Sequence, residues 1–107
     1  MPKSNFKKQD ISSLVNSAQT GNVKALEELI RRVQKQVYAL FSHLTNKKED
    51  ISDLTQEALL KMAKNISQLK NTKNFKAWLN QIITNLYYDH ARKKPENFVE
   101  FSENELD

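Results

Sequence analysis

Between Leu26 and Leu44 an apolar side chain recurs every three or four residues: Leu26, Leu29, Ile30, Val33, Val37, Leu40, Phe41 and Leu44. One unbroken stripe over about five turns marks an amphipathic α-helix. Such a helix obliges the rest of the chain to supply partners that cover its apolar side. Strands are not on offer, because no stretch alternates polar and apolar residues with period two. A single glycine in 107 residues leaves little for tight hairpins, a phosphate-cradling glycine loop or a dinucleotide fingerprint. The absence of cysteine removes disulfides, thiolate metal sites and cysteine catalysis. No apolar run approaches the ~18 residues of a membrane span. The N-terminal charges lead into no apolar stretch of a secretory signal. The reading is one soluble, cytoplasmic, all-α domain: a compact four-helix fold with no sheet.

Punctuation along the chain gives the helices. Ile11, Leu14, Val15 and Ala18 form a first apolar stripe, stopped by Gly21, and Asn22 caps the long second helix. Asn46 to Asp50 is a charged break. The third helix is expected from about Ile51 to Ile66, with Asp50 or Ser52 as N-cap. Gln68 to Asn74 is polar, aperiodic and read as a loop. Asn74 is expected to cap a fourth helix from Phe75 to about Lys93, which Pro95 stops. Residues 1–9 read as a flexible N-terminus, 10–95 as the helical domain and 96–107 as an acidic tail.

Two helices carry more than a core face. On a wheel at ~100° per residue, Leu54, Ala58, Leu59, Met62 and Ile66 share the core side of the third helix. Asp53, Gln56, Glu57, Leu60 and Lys64 lie opposite. An apolar side chain rimmed by carboxylates and an amide has the make-up of a small protein-docking patch; a solvated face with one stray leucine would look the same. As an acid/base pair, Asp53 and Glu57 lack the water exclusion that catalysis needs. On the fourth helix, Phe75, Trp78, Leu79, Ile82, Ile83 and Leu86 form the buried stripe. Lys76, Asn80, Thr84 and Tyr87 run along the opposite side, flanked by Gln81, Asn85, Tyr88 and Arg92. Amides and hydroxyls bond base edges, rings stack on unpaired bases, and cations hold phosphates. The loop before this helix adds Lys70, Asn71, Lys73 and Asn74. Against this stand ordinary roles: Arg92, Lys93 and Lys94 complement a helix C-terminus, and tyrosines snorkel over a core edge.

The charge distribution suits the nucleic-acid reading and, equally, a soluble surface rich in lysine. Residues 96–107 hold five acidic side chains and no basic one, so residues 1–95 hold all 17 basic residues against 8 acidic ones, a net charge of +9. A body of that sign attracts polyanions. His43 and His90 lack metal-ligand spacing and read as surface or helix-end residues. Ser12, Ser13 and Ser17 have no nucleophile context. No catalytic residue, metal or cofactor is expected.

At this point two segments resemble a known family. Asp50-Ile-Ser-Asp-Leu-Thr-Gln-Glu-Ala-Leu-Leu-Lys-Met-Ala-Lys-Asn65 is similar to the D-x-x-D-L-x-Q-E signature of bacterial sigma-70 factors. Phe75-Lys-Ala-Trp-Leu-Asn-Gln-Ile-Ile-Thr-Asn-Leu-Tyr-Tyr-Asp-His-Ala-Arg-Lys-Lys94 is similar to the F-[RK]-x-W-L-x-x-I-x-x-N-x-x-x-D-x-x-R helix that follows it. Gly21-Asn22 and Ala25-Leu-Glu-Glu-Leu29 resemble the opening of region 2 in the extracytoplasmic-function (ECF) group. The resemblance covers Ile11 to Lys94. It implies that Asp53, Gln56, Glu57 and Leu60 dock on the clamp coiled coil of the RNA polymerase large subunit. It implies a selectivity loop from Asn65 to Asn74 for the promoter −10 element. DNA-facing positions, on the nontemplate strand, would be Asn65, Lys70, Asn71, Lys73, Asn74, Lys76, Asn80, Gln81, Thr84, Tyr87 and Arg92. Many relatives carry arginine where Asn80 or Gln81 stands, and Ala77-Trp78 is a sparse aromatic set. Weaker intrinsic melting and a stricter promoter preference are therefore expected. The acidic tail resembles the start of a linker to a region 4 that is absent here. Truncation is the favoured reading of that absence; the other is one half of a split factor. A region-2-like module for an anti-sigma or region 4 partner is the alternative function.

Overall fold

The computed structural model describes residues 9–93, which fold as four α-helices with no strand among them. They are α1 (Ile11–Gln19), α2 (Val23–Leu44), α3 (Lys48–Asn65) and α4 (Phe75–Lys93). The expected flexible N-terminus (1–9, apart from Gln9) and acidic tail (96–107) lie outside the described residues.

Local chemistry sets the first boundaries. The Asp10 side chain accepts from the Ser13 N–H at 2.9 Å and opens α1. Gly21 then takes φ +95, a left-handed conformation that side-chain-bearing residues rarely adopt. Asn22 accepts from the Ala25 N–H at 3.1 Å and opens α2. This sharp turn lets α1 fold back on α2, burying Leu14, Val15 and Ala18 against Ala25, Leu29 and Val33.

The third helix begins earlier than its sequence suggests. It starts at Lys48, its N-cap is Lys47, and no side chain caps it. Glu49 and Asp50 lie in its first turn, where their charges suit the positive end of the helix. Asp50 is buried there rather than capping, with its Oδ2 3.2 Å from His90 Nε2 in the last turn of α4, and Ser52 sits exposed within the helix. His90 is thus a helix-end residue, half-buried where it meets the start of α3. The contact places the start of α3 beside the end of α4, so the two run antiparallel.

Residues 66–74 are more ordered than a loop. They form two 3-10 turns, Ile66–Gln68 and Thr72–Asn74. Asn71, not Asn74, makes the side-chain cap, accepting from the Lys73 N–H at 3.0 Å. Asn74 closes the second turn and leads directly into α4. The core combines all four helices around the fully buried Phe41, Phe75, Met62, Leu14 and Leu29.

Candidate nucleic-acid and protein interfaces

The outer side of α3 is polar with one apolar break. Asp53, Gln56, Glu57 and Lys64 are exposed while Leu54, Ala58 and Met62 are buried, so the amphipathic division follows the sequence pattern. Leu60 is 69% exposed, a large aliphatic surface between carboxylates and lysines.

The outer side of α4 carries Lys76, Asn80, Gln81, Thr84, Asn85, Tyr88 and Arg92, all exposed. Gln81 Nε2 donates to Asn85 Oδ1 at 3.1 Å, which orients both amides along the helix. Arg92 donates to Asp89 at 2.5 Å, so part of its charge is balanced locally.

Tyr87 departs from the expected arrangement. It is 6% exposed and belongs to the core, not to the outer strip. It continues the buried i+4 row Phe75, Leu79, Ile83 and ends beside Ala91, a periodicity visible in the sequence. Burial, and then the neighbouring Tyr88, raises the pKa of its hydroxyl. The exposed ring here is Tyr88, 43% exposed and packed edge-on against Tyr87 with centroids 5.4 Å apart.

The connection between α3 and α4 brings Lys70, Asn71, Lys73 and Asn74 to the surface beside Lys76. Asn65 is only half-buried, and its side chain donates to the Lys61 carbonyl at 3.0 Å, closing the end of α3. A groove opens between α2 and α4 next to this segment. Val33, Val37 and Leu79 line it, and Gln36, Lys76 and Asn80 edge it. Two contributors were not apparent from sequence: Gln36 at this edge, and Gln19, whose side chain bonds the connection itself at the Ile66 and Leu69 carbonyls. Only the three-dimensional fold brings either of them there.

Among the described residues no three His, Asp or Glu side chains gather as a metal site requires, and no helix is long and apolar enough to cross a membrane. A helical domain with a cation-and-amide strip on one helix and a carboxylate patch on another defines a class of nucleic-acid- and protein-binding modules. The chain belongs to the sigma-70 region 2 family, whose model matches residues 29–95, and its relatives place it with the ECF type. It is 32% identical over 78 residues to the ECF RNA polymerase sigma factor SigE of Mycolicibacterium smegmatis, covering 70% of this chain and 30% of that protein. It is 25% identical over 88 residues to the ECF RNA polymerase sigma factor SigW of Bacillus subtilis, covering 82% of this chain and 47% of the relative. It thus spans less than half of the length of these curated relatives. The fold is similar to an engineered region 2 of sigmaE solved by NMR in complex with GTAAAA, with TM-score 0.74, 26% identity, and coverage of 83% of this chain and 93% of the other.

Proposed function

We propose that this domain recognises the promoter −10 element as unpaired nontemplate strand and docks on the RNA polymerase clamp, acting in the cytoplasm by binding rather than by catalysis. The observation that carries the reading is the likeness to a region 2 solved in complex with GTAAAA, joined to an α4 strip whose groups suit an unpaired strand. Lys73 and Lys76 meet phosphates, Asn71, Asn80 and Gln81 bond base edges, and Tyr88 stacks. Stacking at ~1–3 kcal/mol per base offsets the cost of unpairing. Titration of the chain with single strands that differ only in sequence tests this: a clear preference among them is expected, and uniform affinity overturns it.

The α3 patch supports the docking half. Asp53, Gln56 and Glu57 form a polar rim around the exposed Leu60, the composition of a protein contact. The same patch also suits an anti-sigma or region 4 partner. Recovery of such a partner from native cells without polymerase subunits would favour that second reading.

A further inference from the structure

We propose that Gln19, in the last turn of α1, is a positioning residue for base recognition: it holds the backbone of the α3–α4 connection and so sets which unpaired base that connection accepts. This rests on the promoter-strand reading above and adds α1 to the machinery of selectivity.

The Gln19 Nε2 donates to the carbonyls of Ile66 at 2.8 Å and Leu69 at 2.6 Å, residues 47 and 50 positions further along the chain. A primary amide has two N–H donors, and both are engaged. The two carbonyls bracket the first 3-10 turn, which the Leu69 N–H closes onto the same Ile66 carbonyl at 3.2 Å. One side chain thus grips both ends of that turn. Its own helix is immobilised by Leu14 and Val15, both fully buried. The second turn is held locally, by Asn71 Oδ1 on the Lys73 N–H at 3.0 Å and by the Asn74 N–H on the Asn71 carbonyl at 2.9 Å. Lys70 lies between the two held turns, followed by the exposed Asn71, Lys73 and Asn74.

This geometry matters for selectivity more than for affinity. Phosphate attraction tolerates movement of a lysine, whereas a hydrogen bond to a base edge weakens steeply once donor or acceptor is displaced or tilted. A recognition segment must therefore be held to within about 0.5 Å by groups behind it. Gln19 is the side chain that does so from outside the segment at its α3 end. The α4 strip makes no use of Gln19, so the two parts of the interface respond to its loss differently.

The test uses the 107-residue chain and single strands based on GTAAAA, with each base varied in turn. Gln19→Glu keeps the shape but offers two carbonyls a carboxylate with no N–H. Gln19→Lys keeps the donor. Asn71→Ala identifies the base positions that the connection reads. At those positions Gln19→Glu is expected to lower the ratio of preferred to non-preferred affinity by roughly tenfold, the scale of one lost buried hydrogen-bond partner. Gln19→Lys should retain most of the ratio. The ratios at positions read by α4 should not move. The ratio cancels the general repulsion between an added carboxylate and DNA. If Gln19→Glu keeps the wild-type ratio at the Asn71-sensitive positions, the proposal is overturned. Hydrogen exchange without DNA gives a separate readout: the Leu69 amide should exchange faster in Gln19→Glu while the locally held Asn74 amide stays as it is, and unchanged exchange at Leu69 also overturns the proposal. Uniform affinity of the wild-type chain defeats the promoter-strand reading instead, and exchange still decides whether Gln19 holds the turn. If Gln19→Glu does not fold, Gln19→Lys serves: a ratio collapsed despite the retained donor counts against the mechanism.

Discussion

Tyr87 and Tyr88 are adjacent and do different work. Tyr87 extends the core, and its removal as Tyr87→Ala should lower unfolding free energy by roughly 3–5 kcal/mol, the range for large aromatic truncations. Tyr88 presents its ring to solvent, and Tyr88→Ala should cost ~1–3 kcal/mol of single-strand binding with little change in melting temperature. Denaturant titration and anisotropy separate the two; equal effects on both readouts would contradict this division. A second residue-scale device is Glu28 on α2. Its carboxylate accepts from Arg31 at 2.6 Å and Arg32 at 2.9 Å, and these bonds hold its pKa down to about 2. Arg32 also donates to the Gln9 carbonyl, so the cluster ties the entry of α1 to α2. The folded pKa lies below the unfolded one. The contribution is therefore complete above the unfolded value of 4.5 and declines as pH falls from there towards 2. Glu28→Gln should flatten the acid limb of melting temperature against pH while leaving other causes of acid destabilisation, and identical limbs would remove Glu28 from the account.

At the scale of elements, α3 divides sharply into a buried face and an exposed polar face that carries Leu60. Met62 is fully buried, so Met62→Ala should destabilise by about 2–5 kcal/mol in denaturant unfolding. Asp53→Lys with Glu57→Lys lies on the other side and should leave that stability within about 0.5 kcal/mol while abolishing binding to the clamp coiled coil. Retained binding would reassign the patch. These two sides were legible in the chain itself, since a 3.6-residue period separates Leu54, Ala58 and Met62 from Asp53, Gln56, Glu57 and Leu60. The start of α3 was less legible. Lys47 makes no side-chain cap, and the conspicuous candidate, Asp50, instead faces His90 across the interface with α4. A contact 40 residues away leaves no trace in local pattern. The Gln19 bonds to the α3–α4 connection escape a local reading for the same reason. Tyr87 is a different case, because its place in the i+4 row with Ile83 and Ala91 is visible in the sequence.

For the whole molecule, what matters is how charge is divided between faces. Residues 1–95 carry a net charge of +9, yet the outer side of α3 is mixed, with Asp53 and Glu57 set against Lys61 and Lys64. Lys70, Lys73 and Lys76 stand together at the start of the α4 strip, while Arg92 at its far end is partly balanced by Asp89. A single strand on this strip should therefore gain most of its counterion release near the connection. For single strands the slope of log affinity against log salt is about −0.7 per phosphate neutralised. Lys73→Gln or Lys76→Gln should each make the slope shallower by ~0.7 and weaken all sequences alike. Asn80→Ala should do the reverse, changing the order of preferred sequences at nearly constant slope. The Asp53 and Glu57 reversal should leave sequence preference unaltered, because those carboxylates stand on α3 and not on the α4 strip. Salt titrations of these variants on one preferred and one scrambled strand distinguish charge from readout. If Lys73→Gln alters preference while the slope stays fixed, its ammonium reads a base, and the boundary between phosphate-holding and base-reading groups must move along the connection.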